Sequence, residues 1–325
     1  MVAAIRQTMP PFGKIRVLAV MVCATLLPPA LSAADAGGNI GVPGTRVFPE
    51  SITSDAQGDI FFGSLANGTI YRARPGDQAA VAWIDGAKSN IKSGLGVYAD
   101  NKAQVLYACS VIFGDHPDWD PRLSSLHTFN LNSGAPLGTY PMPNGPKSLC
   151  NDIAVARDGS AYVTDTIGGQ ILRLKKGAIG LEKWVEDERL RGADGIAVGA
   201  DGSIYVNTFT TSKLFRVAID KGGGAGAVVE LATSLPLDHP DGLRAIGGMR
   251  FLQAEGLGRI TVLTIDGTHA SMSVLTSGRP GLTSMTVAGG QVWALNAKLA
   301  YLTQPEFKDK DPGPFSAESI GPLPR

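Results

Sequence analysis

Glu50, Asn151, Asp194 and Asp241 occupy one equivalent place in a pattern that recurs along the chain, two positions before the apolar residue that opens a short β-branched run. Leu95 and Thr283 hold that place in the other two copies. If the copies are arranged about one axis, three carboxylates and an amide oxygen converge on a common point. Carboxylates gathered at low effective dielectric repel one another unless they take up protons or bind a cation. Oxygen donors without His or Cys suit one hard divalent cation. Calcium is favoured, with magnesium, zinc or manganese as possible occupants.

The copies that would position these groups read most clearly as CNDIAVARDGSAYVTD from Cys150 and GADGIAVGADGSIYVNT from Gly192. Each is read as a β-branched run, a Gly-containing turn, a second strand ending in an aromatic, then a third strand (ILRL, LFRV). Looser copies begin at Pro49, Gly94, Pro240 and Leu282. Their opening apolar residues are Ile52, Val97, Ile153, Ile196, Leu243 and Met285, with steps of 45, 56, 43, 47 and 42 residues. Short strands in a repeat of about 40–50 residues mark a β-propeller, one blade per repeat. The expectation is an all-β, six-bladed β-propeller of four-stranded blades around a central channel. The 41 glycines and 21 prolines agree with many tight turns. The segment KWVEDERLRG from Lys183 is expected to form a short helical turn. The Asp158-Gly159 and Asp201-Gly202 pairs are read as hairpins, as is Asn67-Gly68-Thr69, which also matches a glycosylation sequon.

Residues 1–33 read as an address. Arg6, Lys14 and Arg16 precede an apolar run from Val17 to Leu27, and Leu31-Ser32-Ala33 offers a cleavage site. The run is too short to span a bilayer. The expectation is a cleavable signal peptide, a periplasmic or secreted product without membrane insertion, and one propeller domain over 34–325. Loss of three basic residues would take the formal net charge from 0 to −3, which argues against nucleic acid as a partner. The tail from about 304 to 325 has no assigned role. Ring closure is expected to pair a strand near Thr45–Phe48 with the last blade. The oligomeric state is not set by the sequence.

Two cysteines follow the leader. Cys109 is placed at the end of a second strand and Cys150 at the start of the next first strand, so a disulfide is geometrically open to them. Unlinked thiols are the alternative. The 56-residue step is explained by an insertion from Ser110 to Ser125 near the mouth of the channel. Its His116, Trp119 and Arg122, together with Thr283, are the candidates for substrate contact, as a lid or wall. Asp165, Asn207 and Glu255 end the equivalent second strands and are read as rim or supporting groups. His239, just before Pro240, is read as a rim hydrogen-bonder.

Glu50, Asn151-Asp152, Asp194-Gly195 and Pro240-Asp241-Gly242, in that order and spacing, resemble the motifs of the senescence-marker-protein and gluconolactonase (regucalcin-like) family of six-bladed propellers. The resemblance covers about residues 45–305. It implies a divalent cation at the top of the channel, held by Glu50, Asn151, Asp194 and Asp241, and hydrolysis of a small-molecule lactone or related ester. On that reading the cation polarises the carbonyl and acidifies a water. Asp241, or failing it Asp194, serves as general base. Two positions depart from the family. Asp194 replaces the usual Asn and adds a negative charge. Leu149 stands where sugar-lactonase members often carry Arg, which removes a partner for a sugar substrate. Two other readings remain: a non-catalytic, metal-stabilised propeller that binds a ligand or protein, and a strictosidine-synthase-like propeller.

Overall fold

The computed structural model describes residues 38–112, 124–143, 145–307 and 309–325. Strands are numbered along the chain from β1 (Asn39–Val42). The first blade is β2 (Pro49–Ser54), β3 (Ile60–Ser64), β4 (Ile70–Ala73) and β5 (Val81–Ile84). The second is β6 (Ser93–Asp100), β7 (Val105–Val111), β8 (Ser125–Asn130) and β9 (Pro136–Pro141). The third is β10 (Cys150–Val155), β11 (Ala161–Asp165), β12 (Gln170–Leu174) and β13 (Glu182–Glu186). The fourth is β14 (Ala193–Val198), β15 (Ile204–Thr208), β16 (Lys213–Ile219) and β17 (Ala225–Glu230).

In the fifth blade β18 (Ala232–Thr233) adds a two-residue parallel edge to β19 (Pro240–Ala245), β20 (Arg250–Glu255), β21 (Arg259–Asp266) and β22 (His269–Thr276), making five strands. The sixth is β23 (Leu282–Ala288), β24 (Gln291–Asn296), β25 (Phe315–Pro322) and, outermost, β1. The first strands β2, β6, β10, β14, β19 and β23 touch one another in sequence, and β23 touches β2, which closes the ring. The sequence-derived all-β, six-bladed architecture is therefore observed.

Closure differs from expectation in its details. Asn39–Val42, not Thr45–Phe48, pairs with the last blade, antiparallel to residues 315–318 of β25. The C-terminal tail supplies that β25, so both ends of the propeller lie in one sheet. Phe48 instead packs edge-on against Phe315 with ring centroids 5.1 Å apart. The segment after Lys183 is mostly the strand β13, and only Glu188–Leu190 forms a 3-10 turn. Asp158-Gly159 and Asp201-Gly202 do turn the chain between first and second strands, with glycine φ of 87° and 80°. Gly68 also sits in a turn, at φ 67°.

The core lies between blades, because each sheet is covered on both faces by its neighbours. This is why second strands such as IFFGS, AYVTD and IYVNT are buried at every residue rather than alternating. Tyr162 and Trp184 of blade three pack in one cluster with Ile196, Val206 and Phe215 of blade four. Tyr205 and Phe251 join blades four and five at 4.8 Å. Each large side chain buried in this way contributes about 1.5–3 kcal/mol. Cys109 and Cys150 form a disulfide, with Cα atoms 5.3 Å apart, that ties blade two to blade three.

Two local devices recur and decide where the first strands point. Phe48, Gly192, His239 and Gly281 each adopt a left-handed backbone, φ 43°, 80°, 50° and 90°, immediately before a first strand begins. Every first strand then carries a register shift just before or at its opening apolar residue. A bulge of this kind lets two consecutive residues escape strict alternation.

Candidate functional site

The bulges turn two rings of residues toward one end of the channel. Glu50, Asn151, Asp194 and Asp241 all line a single cavity of about 170 Å³, its open mouth included. Each is buried, from blades one, three, four and five respectively. Leu95 and Thr283, at the equivalent places in blades two and six, do not line it. Thr283 is buried and its hydroxyl donates 2.7 Å to the Glu50 carbonyl, so it holds the strand that carries Glu50.

The next ring, one residue on, consists of Ser51, Gly96, Asp152, Gly195, Gly242 and Ser284. These residues stitch blade to blade. Ser284 accepts from Ile52 N at 3.4 Å, Ser51 from Val97 N at 3.1 Å and Asp152 from Ile196 N at 3.2 Å. Where the ring has glycine, the neighbouring backbone comes too close for a side chain. A Cβ on Gly96 would lie 2.1 Å from the Asn151 carbonyl oxygen, and one on Gly195 would lie 2.3 Å from that of Asp241.

Hydrogen bonds orient the outer ring. Asn151 Nδ2 donates to Thr166 Oγ1 at 3.0 Å and to Asp194 Oδ2 at 3.2 Å, leaving its oxygen as the atom free for a cation. Thr164 Oγ1 donates 2.7 Å to the Asp194 carbonyl and accepts from Asp152 N at 2.9 Å. Asp194 and Asp241 share a hydrogen bond that favours the proton on Asp241. One oxygen of Glu50 is buried with no hydrogen-bond partner.

The electrostatics follow from burial and crowding. Burial, then the charges of Asp194 and Asp152, raises Glu50 well above the usual carboxylate range, while Arg244 opposes the rise. Burial and Asp152 push Asp194 up to about 7, against the hydrogen bonds from Asn151 and Asp241. Asp241 is raised well above its ordinary value by burial and then by Asp194 and Glu50. A ring of this kind takes up protons or a cation. The fit to a cation is mixed. The donors are all hard oxygens, and the unpaired Glu50 oxygen lacks a partner that a cation would supply. Against that, the acids bond to one another here, and among the described residues no three His, Cys, Asp or Glu side chains form a ready ligating group. The donor chemistry and the orphan oxygen weigh more, because a hydrogen-bonded carboxyl pair is the alternative that the same acids adopt when protonated.

Arg244 and the role of Asp152 escape a reading confined to one position per repeat. The buried Arg244 lines the same cavity and donates to Asp152 Oδ2 at 2.6 Å and to its own Leu243 carbonyl at 2.9 Å. The signal was available in Asp152, the one acid in a ring otherwise of serine and glycine, which demands a buried partner.

The remaining candidates divide. His116, Trp119 and Arg122 lie outside the described residues, as does the segment 1–33. Asp165 is fully buried and accepts from Leu149 N, Gly168 N and Gln170 Nε2 at 2.8, 2.9 and 2.6 Å, which makes it a loop anchor. Glu255 accepts from Asp238 N at 2.9 Å and pairs with Arg259. Asn207 donates to the Asp241 carbonyl and thus supports the ring directly. His239 is half-exposed, bonds Asp238 through Nδ1 at 2.9 Å and packs on Phe209.

No protein-family model matches the chain, and no curated protein is similar to it in sequence. Solved structures do share its fold. A gluconolactonase from Xanthomonas campestris, at 17% identity, covers 86% of this chain and 87% of its own, with a TM-score of 0.62. A luciferin-regenerating enzyme at 13% identity aligns over 85% of this chain and 92% of its own, TM-score 0.58. A streptogramin B lyase at 15% identity aligns over 87% and 96%, TM-score 0.56. At these identities the likeness establishes the propeller, and its presence in both a lactonase and a lyase shows that the fold alone assigns no chemistry.

Proposed function

We propose that the chain is a divalent-cation-dependent hydrolase that opens a lactone or related ester at the acid-ringed end of the channel, with calcium as the cation. The observation that carries this is the convergence of Glu50, Asn151, Asp194 and Asp241, from four separate blades, on one buried cavity with an unpaired carboxylate oxygen. These four residues would hold the cation, which when bound would polarise a carbonyl and lower the pKa of a water. With a cation in the ring to oppose the effects that raise its pKa, Asp241 would be ionised and would accept the proton of a water, and Asp194 is the second candidate for that task. Asn151 fixes Asp194 through its amide nitrogen. Fold likeness to the Xanthomonas campestris gluconolactonase supports this reaction class.

Export is part of the proposal. Residues 1–33 read as a cleavable leader, and a Cys109–Cys150 disulfide suits an oxidising compartment.

A second reading, a cation-stabilised binding module, draws support from the cavity itself. Its enclosed part has room for about one water-sized sphere, so any ligand larger than an ion sits above it on the surrounding loops. Turnover of an aldonolactone and aryl-ester panel, with calcium and with chelator, separates the two. Chelator-sensitive hydrolysis supports the hydrolase. Thermal stabilisation by calcium without turnover of any member supports the binder and removes the hydrolase.

A further inference from the structure

We propose that Arg244 is a cation built into the chain beneath the acid ring, which takes Asp152 out of the ligand set and limits how tightly the ring binds a divalent cation. The inference deepens the proposed function, since it concerns the same cavity.

Arg244 leaves β19 of blade five and reaches across the channel. Its Nη1 meets Asp152 of blade three at 2.6 Å, and its Nη2 lies 3.4 Å from the Val97 carbonyl of blade two and 3.5 Å from Ser51 Oγ of blade one. A guanidinium so placed could be a purely mechanical tie. The comparison among blades argues otherwise. Asp152 occupies the stitching position, and there Ser51 and Ser284 accept the neighbouring blade's N–H with a neutral hydroxyl. Stitching therefore does not require a carboxylate. Asp152 adds a charge that the blade-to-blade bond has no use for, and Arg244 neutralises it.

The pair is also incompletely satisfied. Asp152 Oδ1 and Arg244 Nε are buried without partners, as is Glu50 Oε2, and all three residues line the same cavity. Four carboxylates, of Glu50, Asp152, Asp194 and Asp241, thus share that cavity with one guanidinium. The guanidinium remains charged at every physiological pH. It acts as a fixed positive charge that a soluble cation has to oppose, and it keeps one of the four acids engaged. Without it Asp152 would be a buried, unpaired carboxylate, a state relieved by binding a cation.

Calcium titration calorimetry on the full chain at one pH, with CaCl2 as the probe, tests this in four proteins: wild type, Arg244→Gln, Asp152→Asn and the double variant. Arg244→Gln is expected to bind calcium on the order of tenfold more tightly than wild type, or to take up an additional ion. Asp152→Asn is expected to bind on the order of tenfold more weakly, and the double variant to return to within about threefold of wild type. A mechanical tie would lower the thermal midpoint in chelator and leave calcium affinity unmoved in all three variants; that pattern overturns the proposal. If Arg244→Gln fails to fold, Asp152→Asn and the double variant decide together: weaker binding in the first with recovery in the second upholds the proposal, and unchanged binding in the first or no recovery in the second overturns it. If wild type binds no calcium while Arg244→Gln gains a site, the role of Arg244 stands and the calcium-dependent function falls. Absence of binding in both overturns both.

Discussion

Asn207 Nδ2 donates to the backbone carbonyl of Asp241 at 2.7 Å while its Oδ1 accepts from Gly195 N at 2.9 Å. One fully buried amide at the end of β15 therefore fixes the backbone beside Asp194 and that of Asp241, in two different blades. The spacing of the two acids is set by this residue as much as by their own side chains.

Asn207→Leu should expose that dependence. It leaves the Asp241 carbonyl and the Gly195 N–H buried and unpaired, at about 1–3 kcal/mol each. Urea denaturation is expected to show a loss of that order, and calorimetry a weaker calcium site. Undiminished calcium affinity in a folded Asn207→Leu protein would mean that the ring does not rely on this amide.

Stability should depend on pH in a direction set by the ring. A carboxyl whose pKa is higher folded than unfolded makes the native state bind protons more tightly, so stability falls as pH rises between the two values. For Asp194 the interval runs from 3.8 to about 7, and Glu50 and Asp241 are raised as well. His127 acts in the opposite sense. Burial lowers it from 6.5 to about 4, so its contribution is lost as pH falls through that interval. Above about pH 6.5 His127 is neutral in both states and only the acids act. In chelator, the thermal midpoint is expected to drop from about pH 6.5 to about pH 8, and calcium to restore most of the loss. A midpoint that rises over this range would contradict the buried-acid picture.

The disulfide closes a loop with a sequence separation of 41. Replacing Cys109 and Cys150 together with serine is expected to cost about 2–4 kcal/mol, chiefly by freeing the unfolded chain. Denaturation with and without reductant measures it. Reductant should have no effect on the double-serine protein.

Much of this architecture was legible because the repeat is physical. Ile52, Val97, Ile153, Ile196, Leu243 and Met285 are all 0–1% exposed, so the residues that announce each copy are those pinned between blades. Counting two places back from them found Glu50, Asn151, Asp194 and Asp241, which do share one cavity. What escaped lies where the chain departs from simple alternation. The bulges bring the following residue into the channel lining in five of the six blades, and so the role of Asp152 and, from blade five, Arg244 were not anticipated. Closure by Asn39–Val42 was missed because this four-residue strand pairs with a distant terminus and belongs to no repeat. The edge strand at Ala232–Thr233 is too short to leave a sequence pattern.

Diffraction can locate the divalent cation that Glu50, Asn151, Asp194 and Asp241, from separate sheets, are proposed to surround. Crystals of the protein grown in CaCl2 are expected to show a single strong anomalous peak at the mouth of the channel, about 2.3–2.6 Å from oxygens of Glu50, Asn151, Asp194 and Asp241. The peak should be lost in Asp241→Asn. Calcium-saturated crystals with no peak among these four residues, or with the ion bound elsewhere, would contradict the claim.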